Sequence, residues 1–202
     1  MSHSLVISLA QDDFTPQMKA MMAEAQRPRA ILAAAGRACT NFLKKHFRTL
    51  DANRANGLGG RRQHFWRAVG LSVQLPELTD TNATVTVSDP RYAHKVQGGT
   101  IEAKRASFLT IPITPEAYGR TAAVFERETG MKLFALGHGG QGVLAVKSAD
   151  GQVIPQYVLK KSVNQKPDPD AMPDMKAMAA DVLGHARNAA ERQMLNNGGP
   201  TT

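Results

Sequence analysis

Between Ala83 and Ser162 the chain gathers short β-rich runs separated by turn signals, with Pro115–Glu128 partly helical or looped, and the long helical periodicities lie on either side. That segregation constrains the fold more than any single residue does. Strands alternating with helices would build a parallel sheet, whereas strands gathered in one block pair antiparallel and take helices on one face. The runs are Ala83–Ser88, Ser107–Ile113, Met131–Leu136, Val143–Ser148 and Pro155–Ser162, with Tyr92–Gln97 continuing the sheet up to a Gly98-Gly99 turn. Ala149-Asp150-Gly151-Gln152 is the clearest hairpin turn. Pro112 cannot donate to a ladder, so its run belongs at a sheet edge or a strand end. Ser4–Ala10 adds a strand at the front, with Leu5, Ile7 and Leu9 on one face.

The flanks read as helices. Thr15-Pro16 is a helix start with Thr15 as N-cap, running to Gln26 and breaking near Pro28. A second helix reaches Leu50, and its stripe is Ile31, Ala35, Cys39, Phe42, His46 and Leu50, with Leu32, Leu43 and Phe47 beside it. Its other face carries Arg37, Asn41, Lys44, Lys45 and Arg48, which reads as a solvated surface. Residues 51–63 hold three glycines and three arginines and read as a flexible loop; His64–Leu71, around the only Trp, is a short helix. After the proline-rich segment Lys166–Pro173, the series Met175, Ala179, Val182, Ala186, Ala190 and Met194 has helical spacing. The expected class is α+β: a mostly antiparallel β-sheet packed by N-terminal helices, with a C-terminal helix. Residues 1–165 form the expected α+β domain. Residues 166–202 form a proline-rich connector and C-terminal helix with a flexible tail.

Composition narrows the function classes. Lys and Arg number 25 against 17 Asp and Glu, a net charge of +8, which raises the prospect of a polyanionic neighbour. The single cysteine, Cys39, excludes an internal disulfide framework and a Cys-rich zinc site. No run of about 18 apolar residues is present, so no membrane helix is expected. The first residues, MSHSLVISLAQDD, lack the basic flank of a secretory signal, and a reducing, cytoplasmic origin is expected.

Patterns that carry chemistry are weak. The six histidines make no ligand spacing such as H-E-x-x-H. Cys39 and His46 share the apolar stripe, and a catalytic thiolate needs an exposed electropositive setting, so both read as core. Gly137-His138-Gly139-Gly140-Gln141-Gly142 spells G-x-G-x-x-G, but a strand rather than a helix is expected after it, so the pyrophosphate would meet no helix N-terminus. Asp89 followed by Glu102-Ala103-Lys104 is similar to the Asp…Glu-x-Lys arrangement of restriction-type nucleases, in which two carboxylates hold Mg²⁺ and the lysine assists the attacking water. Asp89 precedes Pro90 in an expected turn, which is not the usual strand setting. Arg54, Arg61, Arg62, Arg67, Lys95, Lys104 and Arg105 gather in the middle of the chain, with only Phe65, Trp66 and Tyr92 as aromatics nearby. Such a set lacks the interleaved aromatics of base stacking; it reads first as ordinary surface charge for solubility, with non-specific electrostatic contact with DNA as the open alternative.

The most informative stretch is Tyr92–Thr114, YAHKVQGGTIEAKRASFLTIPIT. A Tyr-Ala-x-x-x-Gln-Gly-Gly turn, a basic stretch and then Leu-Thr-Ile-Pro-Ile resemble the tailed-bacteriophage virion-morphogenesis and tail-completion proteins, a family that includes head–tail joining and neck components. Gln156–Val163 followed by Lys166-Pro167 resembles the family's late strand and basic-proline close, and Arg61–Trp66 fits its early loop and aromatic segment. The resemblance covers roughly residues 60–175. It implies a structural virion component and no enzyme, with no catalytic, cofactor-binding or metal residue and no cofactor. Identical subunits, with six-fold symmetry favoured, would form a ring around the DNA channel as a tail terminator or neck protein. Its partners would be copies of itself, the neighbouring connector and tail tube proteins, and packaged DNA by non-specific contact. Assembly would take place in the host cytoplasm, with no membrane involved. Open sheet edges and the 137–142 hairpin tip are the candidate contacts between neighbours. Two other readings stand beside it: a Mg²⁺-dependent nuclease using Asp89, Glu102 and Lys104, and a non-specific DNA-binding module.

Overall fold

The structure, a computed structural model, describes residues 5–7, 16, 19, 23, 27–104, 106–138 and 141–197. Its elements in chain order are β1 (Leu5–Ile7), α1 (Pro28–Asn53), a 3₁₀ turn (Gly57–Gly59), α2 (Phe65–Leu71), β2 (Glu77–Leu78), β3 (Ala83–Val87) and α3 (Pro90–Gln97). There follow β4 (Gly99–Glu102), β5 (Leu109–Pro112), α4 (Ala122–Thr129), β6 (Phe134–His138), β7 (Gln141–Lys147), β8 (Val153–Lys160), β9 (Ser162–Gln165) and α5 (Met175–Asn197). The class is α+β, with every strand pair among the described residues antiparallel and helices before, among and after the strands, α3 and α4 lying within the strand block. The strands are divided among three sheets, ordered β1-β3-β2, β4-β9 and β5-β8-β7-β6.

The chain divides into two compact units. The first comprises Met1–Ala52, Phe65–Gln97 and Asp168–Thr202; the second comprises Asn53–His64 and Gly98–Pro167. This differs from a domain ending at residue 165. The C-terminal helix belongs to the first unit because its apolar face completes that unit's core.

In the first unit α1 begins with Pro28 at its first turn, where the missing N–H costs nothing. Its alanine-rich start favours helix, and it buries Ile31, Leu32, Ala35, Ala38, Cys39, Leu43 and Phe47. Against these pack Trp66 and Val69 of α2, Val85 and Val87 of β3, Tyr92 of α3, and Met178, Val182, Ala186 and Ala190 of α5. Each fully buried Leu, Ile or Phe contributes about 1.5–3 kcal/mol relative to exposure. Gly36 permits a close approach, since a Cβ there would lie 2.6 Å from Cβ of Pro76. Two positions of the expected C-terminal stripe change: Met178 rather than Ala179 enters the core, and Met194 is exposed. Of the helix expected from Pro16, the described residues Pro16, Lys19 and Ala23 are helical; Thr15 and the remainder lie outside the described residues.

Tyr92–Gln97 is helical, not a continuation of the sheet. The Asp89 carboxylate accepts from the backbone N–H of Arg91 at 2.9 Å, and Pro90 takes the first helical position. That N-terminal chemistry outweighs the β-leaning Tyr92 and Val96. α3 ends at Gly98, whose φ of 71° is left-handed; a Cβ there would lie 2.7 Å from the Gln165 carbonyl oxygen. The connector before α5 is ordered rather than a loose linker. The backbone N–H of Asp168 donates to the Lys95 carbonyl at 2.7 Å, Ala171 is fully buried, and the Asp174 carboxylate caps α5 by accepting from the N–H groups of Lys176 and Ala177.

In the second unit the four-stranded sheet covers a small core of Ala117, Phe125 of α4, Val146 and Tyr157. The Tyr157 hydroxyl donates to the Arg120 carbonyl at 3.2 Å. The expected hairpin at Ala149–Gln152 joins β7 to β8, with Gly151 at φ 83°. Pro112 sits on β5, an edge strand, where its lack of an N–H costs no ladder bond. A register shift beside Leu144/Ala145 is accommodated where Gln156 turns inward, and its side chain accepts a hydrogen bond from the Thr114 hydroxyl.

Candidate functional site

Alternation and register sort the sheet's side chains into two faces. Leu144, Val146 and Tyr157 lie on the inner face, over the core. The opposite face brings together Phe134 and Leu136 of β6, Val143 and Ala145 of β7, Pro155 and Val158 of β8, and Leu109 and Ile111 of β5. Ala145, paired with Phe134 on one side and Pro155 on the other, is fully buried. Phe134 and Leu136 remain 37% and 42% exposed, and Val153 at the end of β8 is 49% exposed. Lys147 and Lys160 are the charged residues of this face, and both are exposed. The face is therefore apolar with one lysine toward each end, and β6 forms one of its edges with no Lys, no Pro and no bulge along Phe134–Gly137. Natural edges usually carry such protection, so an unprotected edge beside exposed apolar residues points to association.

The nuclease residues fall on different units. Asp89 precedes α3 in the first, whereas Glu102 ends β4 in the second, with Lys104 exposed two residues on. Asp89 is held by Arg91, Nε at 2.9 Å and Nη2 at 2.6 Å, and that hydrogen-bonded guanidinium keeps the carboxyl below its usual range. Among the described residues no group of three His, Cys, Asp or Glu side chains is placed to hold a metal ion. The G-x-G-x-x-G segment forms the β6–β7 hairpin, and a strand follows it; Gly139 and Gly140 lie outside the described residues.

Cys39 is buried, which pushes its thiol up to about 11 and leaves it a poor nucleophile. His46 is half-buried and pairs its Nε2 with the Asp170 carbonyl at 3.0 Å, so it ties α1 to the connector. Tyr92, at the head of the motif that carries the family resemblance, is a core residue. Its hydroxyl donates to the Ala171 carbonyl at 3.1 Å, and burial raises its pKa to about 12.

The central basic residues divide between the two units. Arg67 and Lys95 belong to the first unit, Arg54, Arg61, Arg62 and Lys104 to the second, and Arg105 lies outside the described residues. Arg61 reaches Glu128 at 3.8 Å, and the Arg120 hydrogen bond holds that carboxyl below its usual range. In the first unit Arg91 and Lys95 sit over the Phe65 ring, at 5.2 and 5.7 Å from its centroid. Sequence reasoning missed this cluster because Phe65 and α3 are 25 residues or more apart; reading Pro90–Gln97 as a helix would have placed Arg91 and Lys95 on one side, four apart. It also missed the outer sheet face, although the alternation Phe134, Leu136 and Val143, Ala145 was available. Compared with known proteins, the chain matches no family model, no curated protein and no solved structure. Among the described residues no helix is long and apolar enough to cross a membrane.

Proposed function

We propose that this chain is a structural subunit of a tailed-phage virion, a head–tail joining or tail-completion protein in the terminator or neck position, that assembles as a ring around the DNA channel. The observation that carries the reading is the outer face of the four-stranded sheet, apolar, exposed and bordered by an unprotected edge strand. Such a surface suits a building block that meets another copy, and a ring of identical subunits is closed by head-to-tail contacts in which a patch of this kind meets a different patch on the next copy. The residues behind the family resemblance support the same reading. Tyr92 anchors α3 in the core, Gly98 turns the chain into β4, and Leu109–Pro112 is an edge strand. The partners in this reading are further copies, in a six-fold ring, with the connector and tail tube proteins above and below. Assembly takes place in the host cytoplasm, and the finished protein resides in the virion.

The exposed Arg91 beside Phe65 and half-buried Lys95 favours one addition, a non-specific contact with packaged DNA. Binding to a DNA duplex would then weaken with salt, log K falling by about 0.9 per phosphate neutralised. The assembly reading is tested by negative-stain imaging of the purified full chain and by peptide mass spectrometry of purified particles. Ring-shaped particles and peptides of this chain in the virion are expected. Isolated monomers together with virions lacking the chain would overturn the reading.

A further inference from the structure

We infer that the second unit docks on the phosphate backbone of a DNA duplex through the lysines gathered where β4 passes into β5 and β8 passes into β9. This contact is separate from Arg91 and Lys95, which belong to the first unit, and it stands whether or not the chain forms rings.

Charge is divided unequally between the units. The second holds twelve Lys and Arg against five Asp and Glu, so it carries +7 of the chain's +8; the first, with thirteen against twelve, is nearly neutral. A compact unit of one sign attracts polyanions and raises their local concentration. The backbone then gathers part of that charge in one place. The β4–β9 ladder ends at Glu102 opposite Ser162, and the β5–β8 ladder begins at Leu109 opposite Lys160. Lys161 alone joins β8 to β9, whereas residues 103–108 join β4 to β5. The backbone N–H of Ala103 donates to the Lys161 carbonyl at 3.2 Å, so the longer link leaves the ladders beside Lys161. Lys104, Lys160 and Lys161 are thus neighbours at one junction, and all three are exposed. Glu102 is the only acid within residues 98–115 and 153–167.

The residue types fit phosphate. Lysine ammonium groups on flexible stems, with the exposed hydroxyls of Ser107 and Ser162 beside them, are donors that hold a duplex by its backbone without reading its bases. Protein interfaces are depleted in lysine at their centre and enriched in aromatics, Met and Arg, the opposite of this junction. Within residues 102–108 and 160–162 the one aromatic is Phe108, which is half-buried, so there is no row of rings on which a single strand could stack. Among the described residues Lys104, Lys160 and Lys161 make no ion pair, whereas Arg91 is tied to Asp89 and Arg120 to Glu128. Unpaired cations exchange their counterions for phosphates without first breaking an internal bond.

The test uses the full chain and a fluorescein-labelled DNA duplex of arbitrary sequence, with fluorescence anisotropy read between about 50 and 200 mM salt. Two double variants remove equal charge: Lys104→Gln with Lys161→Gln at the junction, and Lys45→Gln with Arg48→Gln on the exposed face of α1. The junction variant is expected to weaken binding about tenfold or more at the lower salt and to flatten the slope of log K against log salt by about 1.8, two phosphates at about 0.9 each. The α1 variant should keep the wild-type slope. Unchanged circular dichroism melting shows that each variant folds. Lys104→Gln alone, on the link outside both ladders, repeats the test with a slope change of about 0.9. No binding of wild type to the duplex at the lower salt, or equal losses from the junction and α1 variants, would overturn the inference. Tighter binding to polyglutamate than to the duplex would assign the lysines to an acidic protein and overturn it as well. The state of assembly does not enter: monomers under the microscope would overturn the ring reading and leave this comparison intact.

Discussion

Replacing Phe47 by alanine tests the packing that defines the first unit. Phe47 is fully buried. Its ring stacks on Trp66 at 6.0 Å and 9°, meets Tyr92 edge-on at 5.2 Å and 80°, and tilts against His46 at 5.5 Å. One side chain therefore joins α1 to α2 and α3. Truncating a buried Phe to Ala removes its transfer free energy and leaves a cavity, together costing about 3–5 kcal/mol. Phe47→Leu keeps most of the apolar volume and loses mainly the ring contacts, each of which contributes about 0.5–1.5 kcal/mol beyond area burial. For a protein of this size each kcal/mol lowers the melting temperature by about 2–4 °C, so the alanine variant should melt roughly 6–20 °C below wild type. The leucine variant should fall between the two. Thermal melting by circular dichroism measures the loss. Fluorescence of Trp66, the only tryptophan and 7% exposed, reports on the same unit and should redden as Phe47 leaves its face. An alanine variant melting within about 2 °C of wild type would refute the buried aromatic cluster.

Gly98→Ala should destabilise by about 1–3 kcal/mol, read by urea unfolding, because φ is 71° and the new Cβ would press on the Gln165 carbonyl and Pro167; a neutral result would contradict the β4–β9 closure. Asp89→Asn should destabilise at neutral pH, since Arg91 holds the folded carboxyl below its unfolded value. That contribution is present above the unfolded pKa of about 4 and is lost as pH falls through the lower folded pKa, so the two proteins should converge in stability in acid. A difference that persists unchanged into acid would show that the ion pair is not its source. Plasmid DNA incubated with the chain and Mg²⁺ should remain uncut; cleavage abolished by Glu102→Ala would instead establish the nuclease reading.

What the sequence made legible was local. The α1 stripe from Ile31 to Leu50 was readable because an amphipathic helix repeats every few residues, and six of its nine positions are buried outright, Ile31, Leu32, Ala35, Cys39, Leu43 and Phe47. Ala149–Gln152 declared its hairpin through turn chemistry alone. Tyr92–Gln97 was misread because Tyr and Val lean to strands, while the decisive signal, Asp89-Pro90 at a helix start, lay just upstream. β4 and β9 are four residues each and pair across some 60 residues, so neither carries a period long enough to announce itself. The division into units was unreadable for the same reason: Met178, Val182 and Ala186 are plainly helical, but only tertiary contact shows that they close a core begun at Ile31. The outer sheet face was legible as an alternation, but whether that alternation faces a core or solvent depends on what packs beneath it.

The most direct test is the solution mass of the full, unmodified chain by native mass spectrometry and sedimentation. A single discrete assembly is expected, of about six copies and annular in images, that dissociates when Leu136 is made acidic. A 21.8 kDa particle at every concentration, unaltered by that substitution, would contradict the account.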